Sequence, residues 1–417
     1  MQNKRVLLIA NDAMNSSSSN GRTIMNLLKR FDAENLAQFY IHGTPDYEVC
    51  KNYFKSSDKD ALRTFLFLKR KPEVIGGEKS NDSSSNKMRN KNCVKRLLRN
   101  IAWMSFRWWK KDFDEFIKAF SPNIILLQAG DAPFMYAIAL KISKRYDIPI
   151  VMYNSESYVL KKYMYNSANK NRISHFFLKS SLKKQYQRIM KRVSYCIYST
   201  GYLEREYQKK YPHANKSCTL YTVSEMKELP DNSNENFNLL YCGNLGVGRD
   251  EPLAEIAKTL YEIDPNAKLD IYGKFTSEEC ENRVCSNENV NNNGFVPYEK
   301  LPRIMSESSM LIHTEHPDRL ENLKNAFSTK IADSLASGRP FLVYAIKEYP
   351  FVQYLIENDC AHVASTKEEL KEILQKCISD KEYRNKYIPK ALETARKNHD
   401  SDINCQCMLD IIENSTI

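Results

Sequence analysis

The segment FSTKIADSLASGRPFLVY, residues 327–344, carries the pattern from which the fold can be inferred. Ser328 and Thr329 can cap a helix, and the apolar side chains that follow recur at helical spacing. Gly338 ends that helix, and the β-prone run Phe341–Tyr344 comes soon after it. The segment therefore predicts a polar loop, a short helix and a buried strand.

Lys330 lies in the first turn of this helix, where its charge opposes the helix dipole. Unpaired N–H groups at a helix start favour an anion, so a lysine beside them could contact a phosphate. One hypothesis is a phosphate site formed by Ser328, Thr329 and Lys330. The alternative is an ordinary helix with a solvated lysine, and the residues alone leave both open.

The composition is that of a globular protein with about two to three domains. The chain has 417 residues, of which 42% are hydrophobic, so it can bury substantial cores. Its longest apolar runs are far too short to cross a bilayer. The start, MQNKRVLLIAND, combines a charge with a short apolar run, which predicts a strand and not a signal peptide. We therefore expect a cytoplasmic protein.

The eleven cysteines predict reduced thiols and no metal site. Their number is odd, which does not suit a complete disulfide framework. Neither close pair, Cys280/Cys285 nor Cys405/Cys407, has the matching second pair that a zinc site of this type needs.

The net charge of +11 is unevenly distributed along the chain. Residues 87–111 contain nine basic side chains and no acid, and residues 157–193 contain ten more and no acid. The rest of the chain is therefore net acidic. The basic stretches favour an anionic partner, either lipid or a diphosphate-bearing acceptor, although a solvated helical face would give the same pattern.

The first half opens like a doubly wound α/β domain. The apolar run Val6–Ala10 predicts a buried strand, and a polar loop with Gly21 and Arg22 leads into an amphipathic helix. Ligands bind such domains outside the carboxyl ends of the strands, so Gly21 and Arg22 are candidate ligand contacts. The loop lacks the G-x-G-x-x-G pattern, and a dinucleotide cofactor is therefore not expected.

Two acidic residues follow two predicted strands in this half. Asp131 comes after the strand Asn123–Leu127, and Glu156 comes after Pro149–Tyr153. Both then lie at the edge where open α/β sheets bind ligands. They are candidates for orienting a sugar hydroxyl; a helix cap for Asp131 and a solvated carboxylate for Glu156 are the alternatives.

Residues 92–120 predict a basic amphipathic helix that contains all three tryptophans of the chain. Tryptophans and cations on such a helix favour the anionic surface of a membrane, whereas a helix docked by its apolar face on the core is the alternative. Their position on a helix argues against base stacking and thus against a nucleic-acid partner. The candidate membrane residues are Trp103, Trp108, Trp109, Lys95, Arg96 and Arg99.

A second α/β pattern begins after the polar segment Glu228–Asn236. The strand Phe237–Cys242 is followed by the glycine-rich loop GNLGVGR, residues 243–249, and by another helix. The expected organisation is an N-terminal domain at 1–222, a second domain at 223–397 and a C-terminal helix at 398–417.

The segments GNLGVGRDEPL and NAFSTKIADSLASGRP together resemble the glycosyltransferases of the GT-B fold, specifically the retaining family 4 group that builds bacterial surface polysaccharides. The resemblance is strongest over Leu239–Tyr344 and concerns only element order in the first half. It implies two Rossmann-like doubly wound domains that face across a cleft. The second domain would hold a nucleotide-sugar donor and the first an acceptor, with the C-terminal helix returning to the first.

The resemblance assigns donor contacts residue by residue, with departures from the family pattern. The family's Gly-Arg pair is Gly243-Asn244 here, and Arg249 stands at the position of the family's second diphosphate-binding cation. Arginine can bind phosphate through two hydrogen bonds. The two family glutamates fall on Asn325 and Asp333, of which Asp333 can still bind ribose hydroxyls.

Lys330 belongs to a variant of this loop and can supply the missing cation. In that interpretation Ser328, Thr329 and Lys330 hold the diphosphate at the helix start. Asn325 carries no charge, so it would support a developing positive centre less strongly than a glutamate.

The implied chemistry is transfer of a sugar to a glycan or lipid-linked acceptor, with retention of configuration and without a metal or other cofactor. Arg249, Lys330 and the helix start would stabilise the charge that develops on the leaving phosphate. Asp131 or Glu156 would act as the catalytic residue that orients the acceptor hydroxyl. The expected location is the inner face of the cell membrane, as a peripheral protein.

Two other functions are compatible with the same residues. A GT-B sugar-nucleotide epimerase would use the donor site without needing a basic tryptophan-containing helix. A catalytically inactive GT-B scaffold that binds a membrane surface is the other, because Asn244 and Asn325 replace charged residues of the family.

Overall fold

The computed structural model describes residues 4–15, 19–69, 93–161, 172–213, 215–233, 236–323 and 327–415. The chain forms two compact units, one of Met1–Leu220 with Cys405–Ile417 and one of Tyr221–Asn404. Each unit contains a parallel β-sheet whose strands alternate with helices along the chain, and this confirms the predicted α/β class.

The first unit begins with a strand and alternates strands with helices. Its strands are β1 (Val6–Ile9), β2 (Leu36–Tyr40), β3 (Asn52–Lys55), β4 (Ile124–Gln128), β5 (Ile150–Asn154), β6 (Val193–Tyr198) and β7 (Lys216–Thr219). Its helices are α1 (Ser19–Leu28), α2 (Asp58–Phe65), α3 (Cys93–Met104), α4 (Lys111–Phe120), α5 (Pro133–Tyr146), α6 (Arg172–Ile189) and α7 (Gly201–Lys210).

The first strand lies inside this sheet, whose strand order is β3-β2-β1-β4-β5-β6-β7. In β1, Leu7 lies opposite Ala37 on one side and Ile125 on the other. All four residues of β1 are buried, as expected for an apolar strand in a parallel sheet covered by helices. The chain leaves β1 toward β2 and returns on the other side at β4. The topological switch point, where such sheets bind ligands, therefore lies between the carboxyl ends of β1 and β4.

The second unit repeats this plan. Its strands are β8 (Asn238–Cys242), β9 (Lys268–Tyr272), β10 (Val290–Asn292), β11 (Met310–Thr314), β12 (Phe341–Tyr344) and β13 (His362–Ala364). Its helices are α8 (Asp250–Ile263), α9 (Glu278–Cys285), α10 (Leu301–Ser306), α11 (Leu320–Leu323), α12 (Thr329–Ala336), α13 (Pro350–Glu357), α14 (Lys367–Ser379), α15 (Lys381–Asn385) and α16 (Ile388–Thr394). A last helix, α17 (Ser401–Asn414), starts in this unit and ends in the first.

The strand order of the second sheet is β10-β9-β8-β11-β12-β13, and its neighbouring strands are parallel. Here the switch point lies between β8 and β11. The loops that leave these two strands therefore start side by side.

Residues 327–344 fold as the sequence predicts. The Oγ of Ser328 accepts a hydrogen bond from the N–H of Lys330 at 3.3 Å and caps α12. Gly338 has a φ of 66°, the left-handed conformation that ends many helices and that glycine adopts without strain. The strand β12 then pairs with β11 and β13.

Two features of the fold differ from the sequence prediction. The strands β3, β7 and β13 were not expected, because each has only three or four residues and a mixed polar and apolar sequence. The single helix predicted over 92–120 is the pair α3 and α4. Phe106, between them, has a φ of 55°, which a right-handed helix cannot contain.

Two tryptophans belong to the core of the first unit. Trp103 and Trp108 are completely buried, and Trp103 stacks on Phe134 with ring centres 5.0 Å apart. The Nε1 of Trp103 donates to Asp58 at 2.7 Å. The prediction that Trp103 and Trp108 contact a membrane is therefore wrong. Helical periodicity shows which side chains share a face, but not what covers that face.

The other candidate membrane residues have mixed surroundings. Trp109 is half-buried, and Arg96 and Arg99 each form an ion pair with an aspartate of the same unit. Lys95 is exposed. Within the described ranges, no helix has the length and apolar character needed to cross a bilayer.

The C-terminal segment completes the first unit. The backbone N–H of Lys4 donates to Glu413 Oε1 at 2.9 Å, and its Nζ donates to the carbonyl oxygen of Ser415 at 2.7 Å. The thiol of Cys405 donates to the carbonyl oxygen of Asn26. These bonds join the C-terminal segment to Lys4, which precedes β1, and to the first helix, α1.

Replacement of Gly273 by alanine is expected to destabilise the second unit. A Cβ at Gly273 would lie 2.0 Å from the carbonyl oxygen of Gly243, so the backbone of the loop after β8 would have to shift. We expect Gly273→Ala to lower the free energy of unfolding by about 1–3 kcal/mol, measured by urea unfolding. Gly130→Ala is the control, because its Cβ would have its nearest neighbour at 3.5 Å. Equal stability of the two variants would contradict this prediction.

Candidate active site

The loop after β8 is shaped by Asn244. Its Oδ1 accepts a hydrogen bond from the N–H of Gly246 at 2.7 Å, and its carbonyl oxygen accepts one from Tyr241 Oη at 2.9 Å. Gly243 and Gly248 have φ values of 145° and 83°, which favour glycine. Asn244, which replaces a cation of the resembled family, therefore holds the shape of this loop.

Arg249 and Glu315 join the loops after β8 and β11. The carboxylate of Glu315 accepts from Nε of Arg249 at 3.0 Å and from Nη2 at 2.5 Å. The Nη1 of Arg249 donates to the carbonyl oxygen of Asn244 at 3.1 Å. Both side chains of the ion pair are largely buried. Arg249, the predicted diphosphate ligand, thus forms a bidentate ion pair with Glu315 at the switch point between β8 and β11.

The protonation states of this group follow from burial and pairing. Burial alone raises the pKa of Glu315, but the contacts with His313 and Arg249 bring it down to about 2. Burial lowers the pKa of His313 to about 4, so this imidazole is neutral at pH 7. The ion pair therefore persists through the physiological pH range, with His313 as an uncharged neighbour 3.5 Å from Glu315.

Lys330 extends from the first turn of α12 to the same loop. Its Nζ lies 3.2 Å from Tyr241 Oη and 4.8 Å from the centre of the Tyr241 ring. The side chain packs against Gly243, where a Cβ would come within 2.5 Å of the lysine Nζ. Burial, with the nearby charge of Arg249, lowers the pKa of Lys330 to about 7. Lys330 is therefore half-buried in the site, with a pKa close to neutral pH.

At the start of α12, one of the two residues predicted to cap the helix does so. Ser328 supplies the cap, whereas Thr329 is the first residue of the helix. Because the N-terminal N–H groups of a helix attract anions, this end of α12 adds to the positive character created by Lys330. The hypothesis of a solvated Lys330 is not supported, since its side chain is half-buried against Gly243 and Tyr241.

Asp333 lies one turn further along α12 and is almost fully buried. Its Oδ1 accepts hydrogen bonds from Ser224 Oγ at 2.6 Å and from Tyr298 Oη at 3.1 Å. These two donors hold the carboxylate in one orientation. The role of Asp333 as a ribose ligand stays a prediction.

A cavity of about 400 Å³ adjoins the ion pair in the second unit. Three of its lining residues are glutamates, and each has a partner. Glu251 contacts His316 at 2.8 Å, and Glu255 accepts a hydrogen bond from the Tyr344 hydroxyl at 2.5 Å. Glu315 pairs with Arg249. An acidic wall would repel phosphate and suits neutral hydroxyl groups instead. The lining of the cavity is therefore acidic, whereas the part of the site beside Lys330 is positively charged.

The two predicted catalytic carboxylates lie at the carboxyl edge of the first sheet. Asp131 follows β4 and forms an ion pair with Arg96, and Glu156 follows β5 and accepts from Lys161 Nζ at 2.7 Å. Burial, together with the charges of Glu156 and Asp131, raises the pKa of the Tyr158 hydroxyl. Asp131 and Glu156 therefore both lie close enough to Tyr158 to affect its pKa, and each carboxylate is paired with a cation.

The remaining predicted residues have less defined surroundings. Gly21 is buried and Arg22 half-buried on α1, the helix that follows β1. Asn325 lies outside the described residues. Across the described part of the chain, no three His, Cys, Asp or Glu side chains are grouped in a way that could hold a metal ion.

Glu315 and Tyr241 are site residues that the sequence analysis did not select. Glu315 directly follows β11, a buried strand, and a position after a strand is the same signal that identified Asp131 and Glu156. Tyr241 gave no signal, because its position inside β8 predicts only a core residue. Its hydroxyl nevertheless links Lys330 to the loop of Asn244.

The two units have the architecture of GT-B glycosyltransferases. HepE from Anabaena in complex with UDP matches with a TM-score of 0.64 and 10% identity, over 98% of this chain and 99% of that chain. Sucrose-phosphate synthase from Thermosynechococcus elongatus matches with a TM-score of 0.64 and 11% identity, over 98% of both chains. The lipopolysaccharide outer core galactosyltransferase WaaB matches with a TM-score of 0.60 and 14% identity, over 98% of both chains. At such low identities the likeness shows the fold, which is GT-B.

The sequence itself supports the same class for the second unit. Residues 249–410 match a family model described as glycosyl transferase-like. The matched segment begins at Arg249 and contains Glu315, Lys330 and Asp333, so these four residues of the candidate site lie inside the glycosyltransferase-like part of the chain, whereas Tyr241 and Asn244 precede it. A comparison with curated protein sequences gives no match.

The buried position of Lys330 predicts a pH-dependent stability. The unfolded lysine keeps its proton up to its usual pKa of 10.5, whereas the folded one loses it above about 7. Between these values the unfolded state binds more protons, so the free energy of unfolding rises with pH by at most about 1.4 kcal/mol per unit. Lys330→Met should lack this rise. Urea unfolding at pH 7, 8 and 9 measures it, and parallel pH profiles of the two proteins would contradict it.

Proposed function

We propose that this protein is a glycosyltransferase that moves a sugar from a nucleotide-sugar donor to a glycan or lipid-linked acceptor. The observation that carries the proposal is the meeting of Arg249, Glu315 and Lys330 at the switch point of the second unit, beside the start of α12. The match of residues 249–410 to the glycosyl transferase-like model supports the reaction class.

The charges of the site suit a diphosphate. Arg249 and a protonated Lys330 are positive, and Glu315 is the carboxylate that pairs with Arg249. A diphosphate would supply the missing negative charge and would be stabilised by the N-terminus of α12. Asp333, oriented by Ser224 and Tyr298, would accept hydrogen bonds from the ribose hydroxyls.

Uridine diphosphate is the nucleotide that the comparisons favour for testing. HepE has been solved with UDP and with UDP-glucose. These ligands belong to HepE, and their transfer to this chain is part of the proposal. The cavity lined by Glu251, Glu255 and Glu315 suits hydroxyl groups and offers a place for the sugar ring.

The proposed chemistry is departure of the nucleoside diphosphate from the anomeric carbon. The bond from this carbon to the phosphate oxygen breaks, and Arg249, Lys330 and the start of α12 stabilise the charge that the oxygen gains. The acceptor hydroxyl, oriented by Asp131 or Glu156, then forms the new bond to the same carbon and gives up its proton to that carboxylate. From the resemblance to family 4, we propose that configuration is retained, that no metal is required, and that the product belongs to a surface polysaccharide.

Nucleotide binding is expected to raise the melting temperature of the protein. UDP or UDP-glucose at a hundred times its dissociation constant should add about 2.7 kcal/mol to the free energy of unfolding. Lys330→Met should weaken this shift, and Arg249→Ala should abolish it. Thermal unfolding with a panel of nucleoside diphosphates and nucleotide sugars measures the effect.

The control for this experiment is Lys258→Ala, which removes an exposed cation of the second unit away from the site. It should keep the full shift. If no nucleotide shifts the melting temperature of the wild type, the proposal is wrong and the inactive-scaffold hypothesis gains support. A shift accompanied by an epimerised sugar nucleotide, and by no transfer product, would identify the epimerase instead.

Substitution of the first-unit carboxylates should impair transfer without affecting the donor. Asp131→Asn or Glu156→Gln is expected to lower kcat/KM for the acceptor by about 100-fold or more, as for loss of a group that moves a proton. The thermal shift with the nucleotide should not change. Asp147→Asn is the matched control, since that carboxylate also pairs with an arginine of the first unit, at 2.8 Å. Full activity of both site variants would exclude them from catalysis.

A further inference from the structure

We infer that Val247, in the loop after β8, contacts the sugar of the bound donor and thereby helps to select it. The inference rests on the proposed function, because it concerns the donor of that reaction. In this loop Asn244 holds the backbone shape and Arg249 pairs with Glu315. Neither interaction uses the side chain of Val247, so the reason for a valine at this position has to lie elsewhere.

The backbone of Val247 has a conformation that is unfavourable for valine. Its φ is 61°, in the left-handed region, and Gly248 follows with a φ of 83°. Turns with two successive positive φ values are dominated by glycine, asparagine and aspartate. A β-branched residue in this region is a genuine outlier, because its Cβ crowds the carbonyl oxygen that follows. The protein therefore keeps valine where glycine or asparagine would fit the backbone better.

Neighbouring contacts hold Val247 in this conformation. Before it, the N–H of Gly246 donates to Asn244 Oδ1 at 2.7 Å. After it, Arg249 donates to the carbonyl oxygen of Asn244 at 3.1 Å and forms the ion pair with Glu315. Both ends of the turn are fixed, so the loop imposes the strain at Val247. Strained residues of this kind are concentrated at sites that bind ligands.

Packing in the core does not account for the valine. Val247 is 43% exposed, whereas Leu245 of the same loop is completely buried in a hydrophobic core of the second unit. A residue that served only to fill the core would be covered like Leu245. The exposed part of the isopropyl group can instead lose its contact with water when an apolar part of a ligand covers it.

The surroundings of the loop identify the part of the donor that this contact involves. Gly248 lies beside His316, since a Cβ on Gly248 would be 3.4 Å from the Cβ of His316. His316 lines the cavity to which the proposed function assigns the sugar ring. An isopropyl group has no atom that can donate a hydrogen bond to phosphate, whereas a sugar ring has an apolar C–H face. Val247 therefore suits the sugar and not the diphosphate.

The first measurement is the stability of Val247→Asn and Val247→Gly. We expect Val247→Asn to raise the melting temperature by about 2–4 °C, because asparagine tolerates a positive φ. Val247→Gly should melt at or above the wild-type temperature, since relief of the strain offsets the freedom that glycine adds to the unfolded chain. Loss of stability in both variants would show that the valine serves the fold, and would overturn the inference.

The second measurement is isothermal titration calorimetry of the full chain with UDP and with UDP-glucose. Both Val247 variants should bind UDP like the wild type. They should bind UDP-glucose about tenfold more weakly, as expected for the loss of one apolar contact. A protein that becomes more stable while its affinity for the sugar falls is the result expected of a residue kept for its ligand.

Two variants of the second unit are matched controls. Asp359 has a φ of 50° and precedes β13, at the edge of the sheet opposite the carboxyl ends of the strands. Asp359→Gly therefore changes a residue of similar φ away from the candidate site. Ile356→Ser removes an aliphatic side chain that is 44% exposed, close to the exposure of Val247. Both controls should bind UDP and UDP-glucose like the wild type.

The outcomes separate this inference from the proposed function. A wild type that binds neither UDP nor UDP-glucose would overturn the proposed uridine donor, and the inference with it. A wild type that binds both, with Val247 variants that bind UDP-glucose equally well, would overturn the inference alone. Equal weakening of UDP and UDP-glucose would assign the contact to the nucleotide and would also overturn it.

Discussion

The ion pair between Arg249 and Glu315 is the interaction on which the candidate site of the second unit depends. A carboxylate buried at the switch point between β8 and β11 would be strongly destabilising without a partner, and Arg249 supplies that partner from the neighbouring loop. Arg249 of the pair donates to the carbonyl oxygen of Asn244, which also accepts from Tyr241, and the Tyr241 hydroxyl lies 3.2 Å from Lys330. Loss of either member would leave an uncompensated charge, so the two residues function as one element.

In the proposed function, the protonation of Lys330 would depend on whether an anion is bound. The lysine side chain is half-buried near the positive Arg249, and both burial and that charge disfavour its protonated form. An incoming diphosphate would reverse the balance and favour the proton. Binding of the donor and protonation of Lys330 would therefore support each other. Gly243 is the residue that makes room for this lysine, since any Cβ there would collide with the amine.

Much of the fold could be predicted because its central strands are apolar runs bounded by polar loops. Lys330 and the end of α12 at Gly338 followed from the local pattern of one predicted helix, whereas Arg249 was assigned only by the resemblance to family 4. Glu315 could have been found by its position after β11, but its pairing with Arg249 is a contact between distant parts of the chain. Trp103 and Trp108 show the opposite case, because the periodicity of α3 identified an apolar face without showing that the core covers it. The exposed apolar stripe of α3 is instead that of Leu98 and Ile101.

The bonds from Lys4 to Glu413 and Ser415 have a consequence for synthesis on the ribosome. Residues up to Leu220 emerge first, yet their unit also includes the segment that begins at Cys405. At typical elongation rates, roughly 10–40 s separate the two parts. During that interval the second unit is being synthesised, while the first remains incomplete with the partners of α17 uncovered. The nascent first unit is therefore the stage of biogenesis at which chaperone binding matters most, and truncation before Cys405 would make that incomplete stage permanent.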